Sequence, residues 1–172
     1  MKKIPAAVCA TALACGAVVA GAAPASATTL VTCVGTTSVD FSPAITDTSR
    51  TVAVSGADVA TLCLSLTHPA LTGFTGPFSG TATQSCTTFF GGGSGTETLY
   101  WNDGTTSTWN YTNNFSNVNG TKIGTSTGTV SAGTLAGSSV TQTITFANLD
   151  LTACSTTGLS RISGTDTWTI TG

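Results

Sequence analysis

From Leu30 onward, β-branched side chains alternate with Thr, Ser and Gly, and no window carries apolar residues at helical spacing. A period of two belongs to pleated strands, with one face covered and the other wet. Strands are expected over residues 30–41, from residue 50, and again where Leu62, Leu64 and Leu66 alternate with Cys63, Ser65 and Thr67. Gly56-Ala57-Asp58 reads as a bulge or break in that returning segment. His68-Pro69 ends it, because proline has no N–H to give a ladder. Residues 69–77 form an irregular connection, and the sheet is expected to continue over 78–90. Further strands are expected at 114–118, 121–130, 140–151 and 162–170, with turns at Gly91-Gly92-Gly93 and Asn119-Gly120 and loops at 133–138 and 154–159.

The sharpest local prediction is the stretch TETLYWNDGTTSTWNY, residues 96–111. Thr, Trp and Tyr suit a half-buried pleated surface, and Asn102-Asp103-Gly104 supplies a turn. With Gly104 left-handed, Trp101 faces Thr105 and Leu99 faces Ser107, so Leu99, Trp101, Trp109 and Tyr111 share one side of the hairpin. Thr98, Thr106, Thr108 and Asn110 take the other. Eight or nine strands at hairpin spacing predict an all-β fold, an antiparallel β-sandwich with immunoglobulin-like topology.

The first residues change the compartment. Lys2 and Lys3 precede an Ala/Val/Leu-rich run, and Ala25-Ser26-Ala27 has the small-x-small form of a signal-peptidase site. Residues 1–27 therefore read as a signal peptide and 28–172 as a single all-β domain, with no membrane span after cleavage. The remaining cysteines are Cys33, Cys63, Cys86 and Cys154, an even number, which in an exported chain predicts two disulfides. Of the three possible pairings, an antiparallel first hairpin favours Cys33 with Cys63, which leaves Cys86 with Cys154.

Charge removes several function classes. Only Arg50, Lys122 and Arg161 are basic after residue 27, against seven acidic side chains. Three scattered cations cannot neutralise a phosphate backbone, so no nucleic acid is expected as a partner. Candidate chemistry is sparse: His68 is the single histidine, no motif for a metal, phosphate or nucleophilic serine is present, and neither cofactor nor catalysis is expected. Glu97 is the single glutamate, and with Asp103 or Asp150 it is the one conceivable glycosidase pair.

Four segments, CVGTTSVDFSP, CLSLTHPALTG, YWNDGTTSTWNY and GTVSAGTLAG, resemble those of small secreted Ser/Thr-rich proteins of actinobacteria. That resemblance implies export and an all-β domain, and it carries no assigned activity or functional residue. The function expected is a secreted non-enzymatic module with a structural or interaction role at the cell surface or outside the cell. The alternative is binding of carbohydrate or of a small apolar molecule. If their face were exposed, Trp101, Trp109 and Tyr111 would form a stacking platform for polysaccharide; if buried, they are core.

Overall fold

The computed structural model describes residues 27–147 and 149–172. The leader expected over residues 1–27 therefore lies, apart from Ala27, outside the described residues. The chain runs β1 (Thr29–Ile45), β2 (Arg50–Leu64), β3 (Phe74–Gln84), a helical turn α1 (Cys86–Phe89), β4 (Gly93–Trp101), β5 (Thr106–Val118), β6 (Thr121–Gly133), β7 (Ser139–Phe146), a 3-10 turn (Leu151–Ser155) and β8 (Leu159–Thr171).

Each strand pairs antiparallel with the next, and β8 returns to β1, from Thr29 opposite Thr171 to Asp40 opposite Arg161. The result is a closed eight-stranded barrel, which corrects the expected sandwich and its immunoglobulin-like topology. A sandwich leaves strand edges open, whereas here both edges of β1 are taken. Small residues on the inward parity let the sheet coil this far. A Cβ built on Gly35 would lie 2.8 Å from the Ala60 Cα, and one on Gly128 2.8 Å from the Tyr111 Cα, so neighbouring strands approach closer than a side chain allows.

Other boundaries also move. β2 runs unbroken through Gly56-Ala57-Asp58, and the irregularity falls later, where Val34 pairs with Leu62 but Gly35 with Ala60. That extra residue turns Cys63 inward and Leu62 and Leu64 outward. The strand expected over 78–90 is instead β3, beginning at Phe74, followed by α1. Ser85 caps α1: its side chain accepts from the Thr88 N–H, and the Thr88 hydroxyl accepts from the Ser85 N–H. The central hairpin has the expected register, with Gly104 at φ 86° and Leu99 opposite Ser107.

Two apolar plugs fill the ends of the barrel. One is built on Trp101, Trp109, Trp168, Phe74 and Leu99, all buried, with Phe74 edge-on to Trp101 and Trp168. The other holds Phe41, Ile45, Val52, Phe146 and Ile162, with Phe89, Phe90 and Phe115 packed against it. Outside, threonines stand in lateral rows, as in Thr127, Thr141, Thr169 and Thr32 on four adjoining strands. This hydroxylic surface gives water its hydrogen bonds where charge is scarce.

Disulfides join Cys33 to Cys63 across β1 and β2, and Cys86 to Cys154. The second bond links α1 to the 3-10 turn, two segments that cover the end of the barrel away from the tryptophans. It spans 68 residues, for which loop-closure entropy predicts about 4 kcal/mol of stabilisation. The double variant Cys86→Ser/Cys154→Ser should therefore unfold at lower urea concentration by about that amount. A loss below about 1 kcal/mol would mean the bond does not constrain the unfolded chain.

Candidate ligand site in the barrel interior

Between the plugs lies a polar belt. Period-two alternation aims Thr37 of β1, Asp58 of β2, Glu97 of β4, Ser126 of β6, Gln142 of β7 and Asp166 of β8 inward, and all six are buried. Asp58, Glu97 and Asp166 retain exposures of only 5, 6 and 3%. Glycine makes room for two of them. A Cβ on Gly76 would collide with the Glu97 carboxyl, and one on Gly35 would sit 2.9 Å from Asp166 Oδ1.

The belt is tied to the tryptophan plug. Trp168 Nε1 and Gln142 Nε2 both donate to Asp166 Oδ2, at 3.0 and 3.1 Å, and Trp109 Nε1 donates to Glu97 Oε2 at 3.3 Å. Trp101 Nε1 donates to Ser107 Oγ at 2.8 Å, so each buried indole has an acceptor. Other oxygens are left over: Asp58 Oδ1, Glu97 Oε1, Asp166 Oδ1 and Asn113 Oδ1 have no donor. Buried acceptors without donors are rare in native proteins, and each calls for a cause.

For Asp58 and Glu97 the cause is a shared proton. Burial, and then the charge of Asp58, push the Glu97 carboxyl up to about 9. Burial also raises Asp58, to about 6, against the polar contacts of Thr37, Glu97 and Gln142. At neutral pH the pair holds one proton, carried by Glu97 and donated to the Asp58 carboxylate. Asp166 is raised as well, chiefly by burial, and the Trp168 and Gln142 donors oppose that shift.

Asp58 and Glu97 face a cavity of about 190 Å³. Its other polar walls are Thr37, Tyr111, Asn113, Ser126 and Gln142, and its apolar walls include Val39, Val54, Phe78, Phe89, Phe115 and Ile144. The cavity lies beside the weakest seam of the barrel. β3 and β4 pair only at Phe74 with Trp101 and Thr75 with Tyr100, and beyond that Phe78 of β3 and Phe89 of α1 wall the space between the strands. A larger depression of about 680 Å³ lies outside, between β8, β1 and the 3-10 turn, but the acid in its wall, Asp150, is fully exposed. The chemistry therefore sits inside.

The sequence-derived candidates are distributed otherwise. Trp101 and Trp109 are 3 and 1% exposed and form part of the plug, so they present no surface platform. Tyr111 is half-buried; it stacks on Trp109 with ring centroids 4.7 Å apart and lines the cavity. Cys33, Cys63, Cys86 and Cys154 are all in disulfides. The structure does not bring Asp103 or Asp150 to Glu97. Both are fully exposed in turns, where hydrogen bonds from Thr105 and Thr152 hold their carboxyls below the usual range. Glu97 meets Asp58 instead, a partner that sequence reasoning missed. His68 is half-buried in the loop after β2, beside the Thr67 hydroxyl. Among the described residues, the one group with metal-ligand geometry is Asp47 with Cys86 and Cys154, whose sulfurs are bonded to each other. Comparison with protein-family models, curated proteins and solved structures found no match.

The raised carboxyls fix the sign of the pH dependence. The folded chain keeps protons that the unfolded chain releases, so stability is fullest below the unfolded value near 4.5 and is lost as pH rises toward about 9. The melting temperature should fall across that window, and Glu97→Gln, which cannot ionise, should flatten the profile. A melting temperature that rises over the same window would contradict the shared proton.

Proposed function

We propose that this chain is an exported binding protein that holds one small organic molecule inside its barrel. The observation that carries this reading is the interior cavity, in which two buried carboxyl groups converge with aromatic and aliphatic walls. Ligand sites are commonly apolar clefts with a few convergent polar groups, and eight-stranded barrels have room for one small ligand. The volume sets the scale: a cavity of about 150 Å³ accepts benzene, so about 190 Å³ suits a molecule with a single ring. Two disulfides and an apolar, lysine-led amino terminus favour export into an oxidising compartment.

Benzyl alcohol is a suitable first probe, read by calorimetry and by the emission of Trp109, whose indole donates to Glu97. Binding with a change in emission is expected for the wild type. Val54→Phe, which adds a ring to a cavity wall, should remove binding while losing no more than about 3 kcal/mol of stability. Equal binding by wild type and Val54→Phe would move the ligand out of the barrel.

A second reading has its own support. Val34, Leu62, Leu64 and Leu66 are exposed side by side at the end of the first hairpin, Leu66 completely. An apolar strip of this kind favours contact with another extracellular protein. Serine at Leu62, Leu64 and Leu66 together would then abolish any self-association seen by sedimentation and leave benzyl alcohol binding intact.

A further inference from the structure

We infer that the interior site selects a primary ammonium on an apolar, ring-sized body, with the Asp58–Glu97 pair as its counter-charge. The inference rests on the barrel-interior reading and names its ligand class.

Three observations converge on a cation. First, the cavity gathers under-satisfied acceptors: Asp58 and Glu97 are carboxyls more than nine-tenths buried whose Oδ1 and Oε1 have no donor beyond the one proton the pair shares, and Asn113, in the same lining, has an Oδ1 without a donor. An ammonium has three N–H donors and no acceptor, which complements that set. Secondly, no Lys, Arg or His lines the cavity. Among the described residues, Lys122 lies over the outlying Phe90 ring at 5.2 Å, Arg161 pairs with Asp40 on the surface, and His68 belongs to the far loop. Thirdly, the rings of Phe78, Phe89, Phe115 and Tyr111 line the cavity, and aromatic rings attract a desolvated cation and cover an apolar body equally well.

Charge balance sets the stoichiometry. The pair carries one proton and one negative charge at neutral pH, so a single monocation neutralises the pair. A dication or an anion would bury net charge. The other titratable groups that approach the site are Tyr111 of β5 and Asp166 of β8; β1, β3, β6, β7 and α1 line the cavity only with side chains that do not titrate, such as Thr37, Phe78, Ser126, Gln142 and Phe89. Asp166 accepts from Gln142 and Trp168, and the free acid of the pair is therefore the group that answers the ligand's charge.

The probes are benzylamine and benzyl alcohol, which have similar shape and differ in charge. Titrated into the disulfide-bonded chain at neutral pH, benzylamine should bind at least about tenfold more tightly than benzyl alcohol, a difference of about 1.4 kcal/mol. Glu97→Gln keeps the Asp58 charge and should retain that preference, whereas Asp58→Asn/Glu97→Gln, which removes charge at nearly constant shape, should abolish it. The wild type supplies an independent readout: amine binding should weaken as pH falls through about 6, where Asp58 takes a proton, while benzyl alcohol binding stays level. If the two probes bind equally, or the double variant keeps the preference, the ammonium assignment is overturned and the cavity reading stands. If neither probe binds, both fall.

Discussion

Two carboxyl groups packed together away from water cannot both ionise, and much of this barrel is arranged around that constraint. Asp58 and Glu97 come from β2 and β4, the two strands that flank β3, and they meet across Gly76 of β3, which pairs with Asp58 and has no side chain to stand between the carboxyls. Unpaired, each charge would cost several kcal/mol to bury. The shared proton removes one charge, and the donors around the belt stabilise the other. Gly76 leaves the space in which the Glu97 carboxyl can do this.

The same belt explains why the tryptophans sit where they do. An indole brings a large apolar ring and one N–H that has to be satisfied. Glu97 and Asp166 accept from Trp109 and Trp168, so the acids are the floor on which the plug rests, and Glu97 is also the edge of the cavity. The stability of the plug and the ligand recognition we propose therefore meet in one side chain, whose Oε2 accepts from Trp109 and whose Oε1 faces the cavity acids. The opposite end differs: α1 and the 3-10 turn close it, joined by Cys86–Cys154. That arrangement holds Phe89 against the space where β3 and β4 part company, beside the cavity.

What could be read from the chain was what neighbouring residues determine. Asn102-Asp103-Gly104 fixes the register of its hairpin, and the common parity of Val140, Ile144 and Phe146 marks the inner face of β7. Barrel closure was not legible, because the pairing of Val31 with Ile170 joins residues far apart in sequence and no turn between them announces it. The sandwich and the barrel share the same strand pattern and differ only in whether the last strand meets the first. The site was hidden for the same reason, since its two acids lie on strands of their own. One signal was present: Glu97 has the parity of Leu99 and Trp101, and Asp166 that of Trp168 and Ile170, so each is an acid on an apolar face. Asp58, on the parity of Val52 and Val54, completes the pattern. Acids on apolar faces, with glycines on the same inward parity, are what a barrel with a polar interior writes into its sequence.

The ammonium preference we propose for the cavity depends on the protonation of one buried pair. Carbon-detected NMR of the Glu97 and Asp58 side-chain carboxyls across a pH titration measures it directly. The account predicts that Glu97 keeps its proton through neutrality and releases it only toward about 9, while Asp58 titrates near 6 and the Glu97 signal registers that step. A Glu97 carboxyl that ionises near 4.5, independently of Asp58, would contradict it.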